Sequence, residues 1–208
     1  MELRPTETGQ LGLFPEHLAM LPWLRTQVAE RVEVGVTAAV LHLFAYTGLA
    51  TLALAAGGAV VTHVDAARPT VAWARHNATL SGLSDRPIRW IVDDALGYTE
   101  RETRRGRRYA GLVLDPPTYG HGPAGQAWRL EDDLDSLLTT ASRALEPGGF
   151  ILLTAHTPGY DGDRLSTGLA RALGRPPGAF DRGELALLTD DERRLDLGAY
   201  ARWPGGGA

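Results

Sequence analysis

The hydrophobic pattern changes period several times along the chain, and each change marks an element. Ala39–Phe44 is apolar at every position except His42. A run without polar alternation suits a central parallel strand covered on both faces. Gly48 follows, then the Ala- and Leu-rich stretch Leu49–Ala56, which reads as a helix stopped by Gly57 and Gly58. Val60–Val64 is β-branched and ends at Asp65. Strand, tight turn, helix and strand in this order predict the first half of an open α/β sheet, whose ligands lie outside the carboxyl ends of the strands.

The same reading extends in both directions. Residues 1–13 predict an extended lead-in, Gly12–His17 a compact turn, and Leu18–Val34 a helix with Pro22 near its start. Arg68-Pro69 opens a helix that runs to about Ser81, with proline in the first turn where its missing N–H costs nothing. Ile88–Val92 reads as the third strand, 96–105 as a polar helix, Tyr109–Leu114 as the fourth strand and 120–125 as a mobile glycine-rich loop. A helix over 128–145, a turn at Pro147–Gly149 and a fifth strand over Phe150–Ala155 follow. A helix over 163–173 leads to two short strands, 184–189 and 195–203, read as an antiparallel pair at the sheet edge.

Composition narrows the classes. A chain of 208 residues supports one well-buried domain. It contains no cysteine, which excludes disulfides, thiolate metal ligands and thiol catalysis. No apolar run reaches the ~20 residues of a membrane span, so no membrane association is expected. The polar N-terminus is unlike a secretory signal, which predicts a cytoplasmic protein. Net charge is −4, and none of the 21 basic residues is lysine. Arginine suits phosphate recognition, but a GC-rich coding bias accounts for the usage as well. The six histidines are scattered, and no pair has metal-ligand spacing, so no metal site is expected. His42 and His63 read as hydrogen-bonded core residues, and His121 and His156 fall near the expected pocket mouth, where either could serve as a base.

Three acids end three successive strands: Asp65, Asp94 and Asp115. Each alone could simply cap the following helix. Together they line one edge of the sheet, where the first can hold ribose hydroxyls and the second an adenine amine. The turn Phe44–Gly48 is neither Gly-x-Gly-x-x-Gly nor a Walker A loop, so a nucleoside without phosphate fits better than a dinucleotide or triphosphate. Asp115-Pro116-Pro117-Thr118-Tyr119 is the sharpest motif. The prolines fix the backbone, so the Asp115 carboxylate and Pro116 carbonyl become aligned acceptors for an sp² amine, and Tyr119 can stack on a planar base.

On these residues the chain resembles the class I S-adenosylmethionine-dependent methyltransferases. It is most similar to the group of ribosomal large-subunit RNA cytosine methyltransferases. Leu43–Gly48, Val64-Asp65, Asp93–Ala95, Asp115–Gly120, Leu152–Thr154 and Gly12–Glu16 carry the resemblance over about residues 10–160. It implies a Rossmann-like, doubly wound, three-layer αβα fold with a seven-stranded, mostly parallel sheet whose last strand is antiparallel. The implied organisation is a lead-in and helix (1–36), an S-adenosylmethionine-binding domain (37–204) and a disordered tail (205–208). The resemblance assigns Glu16, Phe44, Ala45, Tyr46, Thr47, Gly48, Asp65, Ala66, Asp94, Ala95 and Asp115 to the cofactor, S-adenosyl-L-methionine. Asp115, Pro116 and Tyr119 are the expected catalytic residues.

Two departures bear on chemistry. Cytosine-C5 enzymes carry a nucleophilic cysteine after the fifth strand, where this chain has Ala155-His156-Thr157-Pro158. An unassisted threonine hydroxyl is too weak to attack cytosine C6, so a covalent 5-methylcytosine route is not expected. The N-terminal RNA-binding domain that the resemblance would lead one to expect is not among these 208 residues. RNA, ribosomal RNA first, would then need a local basic patch, with Arg101–Arg108 and Arg129 as candidates. A small-molecule or protein-side-chain methyltransferase, and a non-catalytic cofactor-binding protein, remain alternatives.

Overall fold

The computed structural model describes residues 1–6, 9–188, 190–191 and 193–206. Thr189 of the predicted edge pair and residues 207–208 of the predicted tail lie outside the described residues. A 3₁₀ helix, Pro15–Met20, precedes α1 (Leu21–Glu33). Then come β1 (Ala39–Leu43), α2 (Leu49–Ala56), β2 (Val60–Asp65), α3 (Arg68–Leu80), β3 (Ile88–Val92), α4 (Ala95–Arg104) and β4 (Tyr109–Leu114). A small hairpin follows, β5 (Tyr119–His121) and β6 (Ala127–Arg129). The chain ends with α5 (Leu130–Ala144), β7 (Leu145–Ala155), α6 (Gly162–Leu173), β8 (Asp181–Leu188) and β9 (Arg194–Trp203).

The main sheet has seven strands in the order β3-β2-β1-β4-β7-β9-β8. β3, β2, β1, β4 and β7 pair in parallel, and β9 runs antiparallel to both β7 and β8. The order reverses at β1 and β4, so a crevice opens beyond their carboxyl ends. Two cores sandwich the sheet. Leu41, Leu112, Leu114, Ile151 and Leu153 pack with α4, α5 and α6, while Val40, Val61, Val113, Phe150 and Leu152 pack with α1 and α2. Burial on both faces explains why the central strands lack polar alternation.

Two expectations are corrected. The stretch 120–125 is not an open loop, because its flanks pair as β5 and β6, Tyr119 opposite Arg129. Trp128 therefore belongs to β6 and not to the helix predicted from 128. The Pro147–Gly149 turn is absorbed into an eleven-residue β7, with a register shift against β4 between Tyr109 and Gly111.

The shift seats the Phe150 ring over Gly111, where an added Cβ would lie well inside van der Waals contact. Phe150 is fully buried and meets Trp23 edge-on at 5.8 Å, so it has no room to yield. Gly111→Ala is expected to destabilise the fold by about 2 kcal/mol through overpacking. Urea unfolding checks this, and an unchanged midpoint contradicts it.

Candidate active site at the carboxyl edge of the sheet

Strand parity decides which side chains share a face. In β1, β4 and β7 the residues of the α1–α2 face are Val40, Val113, Phe150 and Leu152. Continuing each alternation puts His42, Asp115, Thr154 and His156 on that same side. The 3₁₀ helix Pro15–Met20 closes over it and brings in Glu16 and His17.

The result is a compact cluster. Asp115 Oδ1 accepts a hydrogen bond from Thr154 Oγ1 at 2.6 Å. It lies 3.3 Å from His156 Nε2 and 3.7 Å from His17 Nε2. The two Nε2 atoms are 3.0 Å apart, and His156 Nδ1 donates to the Leu197 carbonyl at 2.7 Å. Burial alone would raise the Asp115 pKa, but His17 and His156 outweigh it and hold the carboxyl well below the usual range. Burial also opposes charge on His156, yet the Asp115 carboxylate raises its pKa to about 9. Glu16, only 4% exposed, sits on the far side of His156, 3.5 Å from Nδ1.

A cavity of about 570 Å³ opens beside this cluster, within the usual range of small-molecule sites of about 300–1,000 Å³. Asp65, Asp93, Asp94 and Asp115 line it together with Ala66, Ala95 and the hairpin. No arginine is among its described lining residues. A smaller cavity of about 40 Å³ continues beneath the 44–48 turn and shares Phe14, Phe44, Tyr46 and Asp115. The three acids predicted to converge therefore do converge.

The turn achieves with aromatic residues a shape usually left to glycine. Phe44, Tyr46 and Gly48 all have positive φ, at 55°, 47° and 91°. Such backbone is costly for bulky residues and persists where surroundings impose it. Asp65 does so here, since its Oδ2 accepts from Tyr46 N at 2.9 Å while Oδ1 accepts from Ala67 N at 3.0 Å. Burial raises the Asp65 pKa, and these two bonds act against that rise. Thr47 donates to the Gly12 carbonyl at 2.6 Å, which pins the lead-in. Ala45, Thr47 and Gly48 line the smaller cavity.

Other expected site residues divide. Asp94 caps α4, with Oδ1 accepting from Gly97 N at 2.6 Å, and also lines the cavity. Tyr119 is 53% exposed at the rim, with its hydroxyl 2.8 Å from His121 Nε2 and Arg129 over its ring. Pro116 is buried and lines neither cavity, whereas Pro117 and Thr118 do line the larger one. Glu16 lines neither and backs His156 instead. The Arg101–Arg108 run is largely spent within the fold. Arg101 pairs with Asp93, Arg105 with Glu102, and Arg108 donates to the Arg143 carbonyl. The run ends where β4 begins, roughly 20 Å of strand from Asp115, but its first residue, Arg101, pairs with the cavity-wall residue Asp93 and so reaches the opening. Arg129, over the Tyr119 ring, stands at the rim as well.

Sequence reasoning missed His17 and Trp128. Trp128 packs on Phe44 and donates from Nε1 to the Pro117 carbonyl at 2.7 Å, fixing the hairpin over the cavity. The histidine spacing predicted no ligand set, yet Glu16, His17 and His156 place donor atoms within 4.8 Å of one another.

His42 and His63 do form a buried relay. Thr51 Oγ1 lies 2.8 Å from His42 Nδ1 and 2.9 Å from His63 Nδ1. Burial lowers the His42 pKa to about 4 and that of His63 well below its ordinary value. An unfolded histidine titrates near pH ~6.5, so only the unfolded chain takes up these protons as pH falls below that. The contribution of these two histidines is expected to be full above pH ~6.5 and to be lost toward pH 4, by as much as ~3 kcal/mol for His42. Urea titrations from pH 7 to pH 4 check this. A His42→Gln variant with an undiminished pH slope contradicts it.

Comparison with known proteins gives the family. The family described as S-adenosylmethionine-dependent methyltransferase matches residues 8–195. A Ribosomal RNA large subunit methyltransferase K/L from Methylococcus capsulatus is 36% identical over 118 residues, 56% of this chain and 16% of that protein. One of the same name from Pseudoalteromonas atlantica is 31% identical over 155 residues, 74% of this chain and 20% of that protein. The crystal structure of a SAM-dependent methyltransferase from Agrobacterium tumefaciens superposes with a TM-score of 0.86 at 36% identity, covering 94% of this chain and 64% of that one. The chain thus spans a fifth or less of those two curated relatives.

Proposed function

This chain belongs to the S-adenosylmethionine-dependent methyltransferases, and we propose that it methylates a nitrogen of an RNA base by direct in-line transfer. The observation that carries the reading is the single cavity rimmed by Asp65, Asp94 and Asp115. That rim fits the cofactor, since its carboxylates offer hydrogen-bond acceptors to a nucleoside and would repel phosphate. When bound, S-adenosyl-L-methionine supplies an electrophilic methyl group on a sulfonium.

In this reading Asp65, beside Ala66, holds the ribose hydroxyls, and Asp94, with Ala95, holds the adenine amine. The 44–48 turn faces the methionine portion. Asp115 stays ionised and can only accept hydrogen bonds. Its contacts with Thr154 and the histidines fall on Oδ1, so Oδ2 is assigned to the N–H of the acceptor amine. Holding that N–H aims the nitrogen lone pair, and orientation of this kind supplies much of the rate in a displacement without an enzyme-bound intermediate. The surplus proton leaves to water. Tyr119 stacks on the base at the rim. Thr157 has its hydroxyl 2.7 Å from that of Thr118, a partner that cannot act as its base, which argues against covalent attack.

The names of the K/L relatives support an RNA acceptor. The acidic rim favours a second reading, a small-molecule or protein-side-chain acceptor. Incubation with methyl-tritiated cofactor, total RNA and a small-molecule extract separates the two. Label is expected in RNA, and label confined to the small-molecule fraction overturns the RNA assignment.

A further inference from the structure

We propose that His17 Nε2, His156 Nε2 and Asp115 Oδ1 form a three-ligand face for one divalent cation of the zinc, iron or manganese class. The three edges of this triangle are 3.0, 3.3 and 3.7 Å. Three ligands at ~2.0–2.1 Å around a tetrahedral ion stand ~3.3 Å apart. The circle through these atoms has a radius of about 2 Å, so a cation just above their plane reaches all three without rearrangement.

The surroundings are those of a ligand set. A metal-bound histidine needs its other ring nitrogen held by an acceptor, and His156 Nδ1 already donates to the Leu197 carbonyl. A ligating carboxylate needs an orienting donor, and Thr154 supplies one to Asp115. The Glu16 carboxylate, buried beyond His156, adds negative charge behind the ring. Phe14 packs against both imidazoles, at 5.8 Å from His17 and 5.4 Å from His156, and limits their rotation.

The donor chemistry selects the ion. Two imidazoles and one carboxylate suit first-row transition metals, whereas magnesium and calcium prefer oxygen ligands. His156 and Asp115 line the larger cavity, and His17 and Asp115 line the smaller. The ion's remaining positions therefore open toward bound small molecules, as in a catalytic metal site and unlike a closed structural one. Metal binding is read directly, so this proposal does not depend on the transfer reaction.

The full, tag-free chain, stripped with chelator, would be titrated with Zn²⁺ by calorimetry and with Co²⁺ by visible absorption. One equivalent is expected to bind, with the intense d–d bands of a low-coordinate Co²⁺ site. His17→Gln and His156→Gln should each weaken binding by more than the ~10–100-fold typical of an outer-shell loss. His76→Gln, on the exposed face of α3, should leave it unchanged. Absence of stoichiometric binding, or wild-type affinity in both site variants, overturns the proposal. Should those variants unfold, zinc-edge absorption of the wild-type complex decides. Two imidazoles in the coordination shell support the site, and a shell of oxygen alone overturns it.

Discussion

Asp115→Asn is expected to reduce methyl transfer by about 10²–10³-fold, the usual cost of removing one preorganised polar group from a reacting centre. The substitution is nearly isosteric, and the amide oxygen can still accept from Thr154. What disappears is the anion. The amide now presents an NH₂ donor to the acceptor N–H or to His156, and His156 loses the counter-ion that raises its pKa. Binding of S-adenosylhomocysteine should change little, because Asp65 and Asp94 are untouched. Single-turnover tritium transfer and calorimetry measure the two effects separately. Activity within about threefold of wild type would remove Asp115 from the mechanism.

Asp65→Ala acts on the other half of the site, with an expected loss of about 10–100-fold in affinity for S-adenosylhomocysteine. Hydrogen bonds to a charged group are worth about 1.5–3 kcal/mol, and Asp65 is assigned both ribose hydroxyls. The same carboxylate holds Tyr46 N and Ala67 N, so truncation also frees a turn whose residues 44 and 46 sit at positive φ. A fall in melting temperature should accompany the loss. Asp65→Asn keeps one acceptor oxygen and should be intermediate in both measurements. Calorimetry returning wild-type affinity for Asp65→Ala would refute its place at the ribose.

The two variants test different links of one chain of reasoning. Asp65 ends β2 and Asp115 follows β4, and both were legible as acids closing apolar runs. Asp94 was legible in both of its roles, since it caps α4 and lines the cavity. Pro116 and Glu16 are placed less directly. Each belongs to a recognisable run, but burial of Pro116 and the placement of Glu16 behind His156 keep both off the cavity wall. The Arg101–Arg108 run was read as freer than it is. Charge density along the chain does not reveal that Asp93, Glu102 and the Arg143 carbonyl already take up three of those side chains.

By itself the sequence determined the order of the main-sheet strands and their helices, the doubly covered sheet and the rim of carboxylates, though not the β5–β6 hairpin. Those follow from periods of two and 3.6 residues and from the residues that end each element, all of which are local. Only the tertiary structure decided that His17 meets His156 across 139 residues of chain, and that both close on Asp115. No short-range pattern encodes such a meeting. It depends on strand parity setting the face of Asp115 and His156, and on the 3₁₀ helix being packed over that face by the side chains of α1 and the sheet beneath it.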